Sequence, residues 1–238
     1  MKPTVKLAES PTPEGTTLAL FEHDGEFFLQ EDGIQIQSSF AHSAERALGD
    51  LAAHPFRPVR QPRILLGGLG LGFTLAAVRA SLLQKRGIFV VAEPVADLPD
   101  WHRQHLSDLH PGQIDDPRVV VRHGSLTAAL RAKDEGFHAI LVDCEGGYAQ
   151  RELGDRQGLP HRSVLSRLHD GLQEGGLLAL RTASAPAFER RLRQAGFDVA
   201  SEMVPAADKG KQKRRYFIWL ARKGRYQSQP RSNTNSNR

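Results

Sequence analysis

The stretch Arg63–Gly72, RILLGGLGLG, decides how this chain is read. Ile64, Leu65 and Leu66 form a short apolar run suited to a strand buried on both faces of a parallel sheet. The run breaks into Gly67, Gly68, Gly70 and Gly72, and a helix-like segment, Phe73–Leu83, follows. Glycines at a strand-to-helix turn let the backbone bend tightly and approach a ligand closely. Such a turn is not specific alone, because many α/β folds simply reverse direction with one. A second feature sharpens it. Glu93 ends the next apolar run, Ile88–Ala92. It lies about 20 residues beyond the turn, the offset at which dinucleotide-binding folds place the acid that accepts from ribose hydroxyls. The pair predicts a nucleoside-binding site; the bland reading is a structural turn beside a solvated glutamate.

Working outward, apolar strands alternate with helical stretches. The strands are Ile88–Ala92, Val119–Arg122, Ala139–Val142 and Leu177–Arg181, with helices at Trp101–Leu109, Leu126–Arg131 and His161–Leu172. The last helix is expected to stop at Gly175-Gly176. Five strands with interleaved helices predict an α/β fold with a Rossmann-like, doubly wound, mainly parallel sheet. A helix over Ala187–Ala195, closed by Gly196, leads to two strands, Asp198–Val204 and Tyr216–Ala221, expected as an antiparallel hairpin on the sheet edge. Upstream, LALFEHDGEFFLQEDGIQIQS contains strand-like runs with hairpin turns at Asp24-Gly25 and Asp32-Gly33. It predicts a small β-appendage of two or three strands, followed by a helix over Ala41–Ala53. The expected organisation is therefore a flexible lead-in over residues 1–14 and an N-terminal β-unit with its helix over 15–58. A nucleoside-binding domain over 59–224 and a disordered tail over 225–238 follow.

The chain of 238 residues is 39% hydrophobic and 25% charged, enough apolar content for a globular core. It shows neither a long apolar span nor a basic-then-apolar leader, so no membrane association is expected. A single cysteine, Cys144, excludes an intrachain disulfide and fits a reducing, cytoplasmic setting. The net charge of +5 owes much to Lys209–Arg215 and to the tail. Neither segment interleaves aromatics with its cations, so nucleic-acid binding is the lesser reading.

This order of parts resembles the class I methyltransferase fold, and within it the spermidine synthases (polyamine aminopropyltransferases). Four pieces carry the resemblance: LQEDGIQIQS (Leu29–Ser38), RILLGGLGLG, VVAEP (Val90–Pro94) and AILVDCEGG (Ala139–Gly147). They are similar to the family's LDG-x-Q strand, its vLiiGGGDGG turn, its acid-terminated strand and its vIi-DSSDP strand and loop. The resemblance covers about Leu18 to Gly224. It implies S-adenosylmethionine or decarboxylated S-adenosylmethionine as a substrate, held without a metal. Gly68, Gly70 and Gly72 would shape the cradle, Glu93 would bind ribose and Ser125 would sit near the adenine. Gln35 and Asp143 would orient the donor's amino end, and Asp143 and Glu145 are the catalytic candidates.

The family's polyamine-binding and base aspartates are not matched. Gly70 stands at the aspartate of GGGDGG, Gly146 at the second aspartate of DSSDP and Gly147 at its proline. QSSFAHSAE offers only His42 and Glu45 where the family has an acidic pair and a tyrosine. Ordinary spermidine synthesis is thereby argued against. The expected function is a spermidine-synthase-like transferase with a small-molecule acceptor such as an amine, acting as a homodimer. The alternatives are a methyltransferase acting on a small molecule or RNA, and a non-catalytic nucleoside-binding protein. Two further groups read as bland. His102 and His105 in WHRQH lack a third metal ligand of convincing spacing and read as a partly exposed pair. Cys144, beside a carboxylate, reads as a small buried residue rather than a nucleophile.

Overall fold

The computed structural model describes residues 3–130, 136–145, 151, 153–154, 160–182, 186–207 and 214–224. The main sheet follows from the apolar runs. Strands β5 (Arg63–Gly67), β6 (Ile88–Glu93), β7 (Val119–His123), β8 (Phe137–Asp143) and β9 (Leu172–Thr182) pair in parallel in the order β9-β8-β5-β6-β7. Successive residues face opposite sides, and both sides are buried. Ile64, Leu66, Val91, Leu141 and Ala179 join one core; Leu65, Val90, Ile140, Val142 and Leu180 join the other. That is why these strands read as unbroken apolar runs. β11 (Arg215–Lys223) pairs antiparallel with β9, and β10 (Phe197–Pro205) lies outside it, completing the expected edge hairpin.

Helices α1 (Ser43–Ala53) and α2 (Phe73–Ser81) lie on the first core. They are followed in the chain by α3 (Leu98–Gln104), the short α4 (Leu126–Ala129), α5 (Arg162–Gly171) and α6 (Pro186–Gln194). α4, α5 and α6 supply Leu126, Leu165, Leu168, Phe188 and Leu192 to the second core.

The N-terminal unit is a four-stranded antiparallel meander: β1 (Val5–Pro11), β2 (Thr17–His23), β3 (Glu26–Glu31) and β4 (Ile34–Ser38). Both Asp-Gly turns have positive φ at each residue, 54° and 83° at Asp24-Gly25 and 47° and 80° at Asp32-Gly33, as two-residue hairpins require. One strand more is present than the sequence predicts. Residues 5–11, expected as flexible lead-in, form β1 because their backbone pairs with β2 and because Ser10 Oγ donates to Asp97 Oδ2 at 2.7 Å. A second correction concerns Gly175-Gly176. They lie inside β9, where the strand's register against β8 shifts, and the preceding helix has already ended at Gly171. The tail and most of the basic loop, 225–238 and 208–213, lie outside the described residues.

α1 and α2 approach unusually closely at Gly49. A Cβ there would stand 2.6 Å from both Ala77 Cβ and the Thr74 carbonyl oxygen. Alanine in a helix gains about 1 kcal/mol over glycine, but overpacking against immovable backbone costs about 1–3 kcal/mol. Gly49→Ala is therefore expected to lower unfolding stability by about 1 kcal/mol, read from urea denaturation; a stabilised variant would contradict this packing.

Candidate nucleoside site

The site lies at the carboxyl ends of β5, β6 and β8, where the sheet changes direction on either side of β5. Open α/β sheets bind ligands at such a crevice. A pocket there is floored by Gly67, Gly68, Gly70, Ala92, Glu93, Leu141 and Asp143. The N-terminal sheet roofs it with Leu18, Leu29, Glu31, Ile36 and Gln37. Among the described residues, its charged lining is entirely acidic: Glu31, Glu93, Asp143 and Glu145.

Glu93 organises the turn. It is 4% exposed, its Oε2 accepts from Leu69 N–H at 2.8 Å and its Oε1 accepts from Val95 N–H at 2.8 Å. Each oxygen keeps a second lone pair for a ligand hydroxyl. Burial raises the Glu93 carboxyl pKa to about 7, against the pull of those two backbone N–H groups. Gly68 has φ 100° and open space where a Cβ would stand, as a backbone cradle needs. At Gly70, with φ 51°, a Cβ would collide with the Gln37 amide.

Gln37 Oε1 accepts from Leu71 N–H at 2.8 Å, and His102 Nε2 bonds the Gly70 carbonyl at 2.8 Å. His102 is thus buried at 4% exposure, correcting its reading as half of a partly exposed pair, and burial lowers its pKa. Gln37 is a residue that the sequence reading missed. Gln35, expected near the donor, is exposed on β4 and does not line the pocket. A β-bulge explains the exchange: Leu29 pairs with Gln37 but Gln30 with Gln35, so Ile36 is the extra residue and re-aims the strand.

Gly72 does not line the pocket; it caps α2 with φ 89° and packs against Gln113, His102 and His110. Ser125 also stands outside the lining. Its Oγ caps α4 by accepting from Ala128 N–H at 3.1 Å, while Leu126 beside it reaches the pocket.

The Asp143 end is built differently from the sequence expectation. Asp143 and Arg181 are register partners on β8 and β9. Arg181 Nε donates to Asp143 Oδ1 at 2.9 Å and Nη2 to Oδ2 at 2.5 Å. Arg181 Nη2 also stands 3.2 Å from Glu45 Oε1, and its guanidinium lies 4.4 Å from the centroid of the Tyr216 ring. Arg181 is 3% exposed and Glu45 5%. Burial opposes the Arg181 charge, but Asp143 and Glu45 more than offset it and hold its pKa up. Burial raises Glu45 to about 7 despite Arg181, with Asp143 adding to the rise. Glu145 pairs with Arg214 at 3.2 Å, and its N–H donates to Asp143 Oδ1. Glu31 is held by Arg151.

Burial, then Asp143 and Glu145, push the Cys144 thiol well above its usual range, so no thiolate is available there. Among the described residues no group of three or more His, Cys, Asp or Glu could hold a metal ion. Gly146 and Gly147 lie outside the described residues.

Comparison with known proteins places this architecture. The chain is similar to polyamine aminopropyltransferase 2 of Pseudomonas aeruginosa, with 29% identity over 155 residues. That alignment covers 64% of this chain and 42% of the relative, so less than half of the relative's length is matched. The spermidine synthase of Thermotoga maritima superposes with a TM-score of 0.65 at 16% identity, covering 92% of this chain and 72% of that one. The fold is spermidine-synthase-like. Precorrin-6y C5,15-methyltransferase of Geobacter metallireducens shares it more loosely, with a TM-score of 0.52 at 12% identity over 75% of this chain and 87% of that one. No family model matches the sequence. No helix among the described residues is long and apolar enough to cross a membrane.

Glu93 gives the site a measurable pH signature. Its folded pKa of about 7 lies above the ordinary value of 4.5. The native state therefore holds the proton more tightly, and the contribution is fully present below about pH 4.5 and lost as pH rises through about 7. Wild type minus Glu93→Gln stability is expected to fall by up to about 3 kcal/mol across that window, measured by urea unfolding at each pH. A flat difference would show that Glu93 is not buried as described.

Proposed function

We propose that this protein is a spermidine-synthase-like transferase that binds S-adenosylmethionine or its decarboxylated form in the pocket beside Glu93. The observation that carries the reading is the buried Glu93 carboxylate, held by the glycine turn at the carboxyl end of a parallel strand and facing an acid-lined pocket. The chemistry of the lining fits such a donor. Two carboxylate oxygens can accept both ribose hydroxyls, Gly68 leaves room for close approach, and acidic walls favour a sulfonium cation.

The bound donor supplies an electrophilic carbon next to its sulfonium. The nucleophile's lone pair forms the new bond there, the carbon–sulfur pair leaves with sulfur, and the nucleophile's proton passes to a base. Asp143 is committed through both oxygens to Arg181 and serves as a positioning group in this reading. Glu145, whose partner Arg214 stands on the exposed side, is the carboxylate assigned to receive the proton. The main contributions are proximity and exclusion of water beneath the N-terminal sheet. A homodimer in a cytoplasmic setting is expected of such a transferase.

A second reading, methyl transfer, is favoured by the likeness of the fold to a methyltransferase. Calorimetric titration with S-adenosylmethionine, decarboxylated S-adenosylmethionine and methylthioadenosine tests both. At least one is expected to bind, and a preference for the decarboxylated donor selects aminopropyl transfer. Glu93→Ala is expected to weaken binding by about 2–3 kcal/mol, because it removes charge-assisted bonds and loosens the turn. Absence of binding to folded wild type would overturn the proposal.

A further inference from the structure

Two carboxylates and an aromatic face around one buried position are the chemistry that holds an organic cation. Glu45, Asp143 and Tyr216 make such a cage just behind the pocket lining, which Asp143 alone of them reaches, and its occupant is the chain's own Arg181. We propose that Arg181 is a built-in occupant of the cation position, and that the acceptor taken up at this end of the pocket is a neutral molecule and not a polyamine. This identification of the acceptor rests on the pocket being the transferase site proposed above; the occupied cage does not.

The charges support the inference. Three carboxylates meet at this end, Glu45, Asp143 and Glu145, and the guanidiniums of Arg181 and Arg214 face them. At most one negative charge remains, and Glu45, raised to about 7, is partly protonated near neutrality. At this end of the pocket one charge suffices for a single sulfonium and leaves none for a second cation. Across the pocket Arg151 is shared between Glu31 and Glu14, and both Glu93 oxygens accept from backbone N–H groups. A diamine entering the cage would have to displace a guanidinium tied by its own strand to the adjoining one. Displacement would leave a buried cation without its partners, which is costly.

Two arms test this. In the first, wild type is titrated calorimetrically with 1,4-diaminobutane, alone and after saturation with methylthioadenosine. Nucleoside binding without any saturable diamine heat is expected; saturable diamine binding in either state would overturn the inference. Failure of the nucleoside to bind counts against the transferase reading, and the cage is then judged on the second arm. There, Arg181→Ala empties the cage. Its Tm is expected to fall, and millimolar methylguanidinium or 1,4-diaminobutane to restore part of the loss saturably, while sodium chloride of equal ionic strength or neutral acetamide does not. Diamine affinity is expected to rise about tenfold or more over wild type. Arg181→Lys, which keeps a cation in place, is expected to show neither rescue nor the gain. Equal responses to salt and to the organic cations would overturn the cage. Should Arg181→Ala fail to accumulate folded, the wild-type diamine titration decides the inference alone.

Discussion

The arrangement on which the site depends is a buried guanidinium. Arg181 ties β9 to β8 through Asp143 and to α1 through Glu45, and it lies under the β11 ring of Tyr216. Taking such charges out of water costs several kcal/mol per ion, and only close, complete pairing offsets it. Arg181 and Asp143 therefore depend on each other: removing either leaves the other's charge without its two-bond partner. The same pairing shapes the pocket's charge, because it engages both oxygens of Asp143, the acid that ends β8 in the pocket lining.

The opposite wall is organised by hydrogen bonds to backbone. Three side chains from three elements, Glu93 at the end of β6, Gln37 on β4 and His102 on α3, each bond one residue of the turn Leu69–Leu71. The glycines supply conformations that other residues adopt rarely, and these partners select one of them. The N-terminal sheet is thus part of the site. Gln37 links its last strand to the turn, so the roof and the floor of the pocket are joined by a direct hydrogen bond.

Much of this was legible in the sequence because the signals are local. Apolar runs buried on two faces, Asp-Gly hairpin turns and an acid at the end of β6 each follow from a few adjacent residues. What escaped depends on register and on distant partners. β1 has weak periodicity and is held by its neighbour's backbone. The Ile36 bulge exchanges Gln37 for Gln35 without any change in composition. Gly175-Gly176 look like a helix stop but sit where a strand shifts register. His102 is buried because Gly70 offers it a carbonyl. Arg181 had a visible sign. It ends the apolar run of β9 as Asp143 ends β8 and Glu93 ends β6, and charged residues at the carboxyl ends of buried parallel strands face the ligand crevice.

The decisive measurement is a crystal structure grown with methylthioadenosine and 1,4-diaminobutane together. The ribose hydroxyls are expected on Glu93, the nucleoside against Gly68, and Arg181 still between Glu45 and Asp143 with no diamine beside it. A diamine seated against Asp143 with Arg181 displaced, or a nucleoside bound away from Glu93, would contradict that expectation.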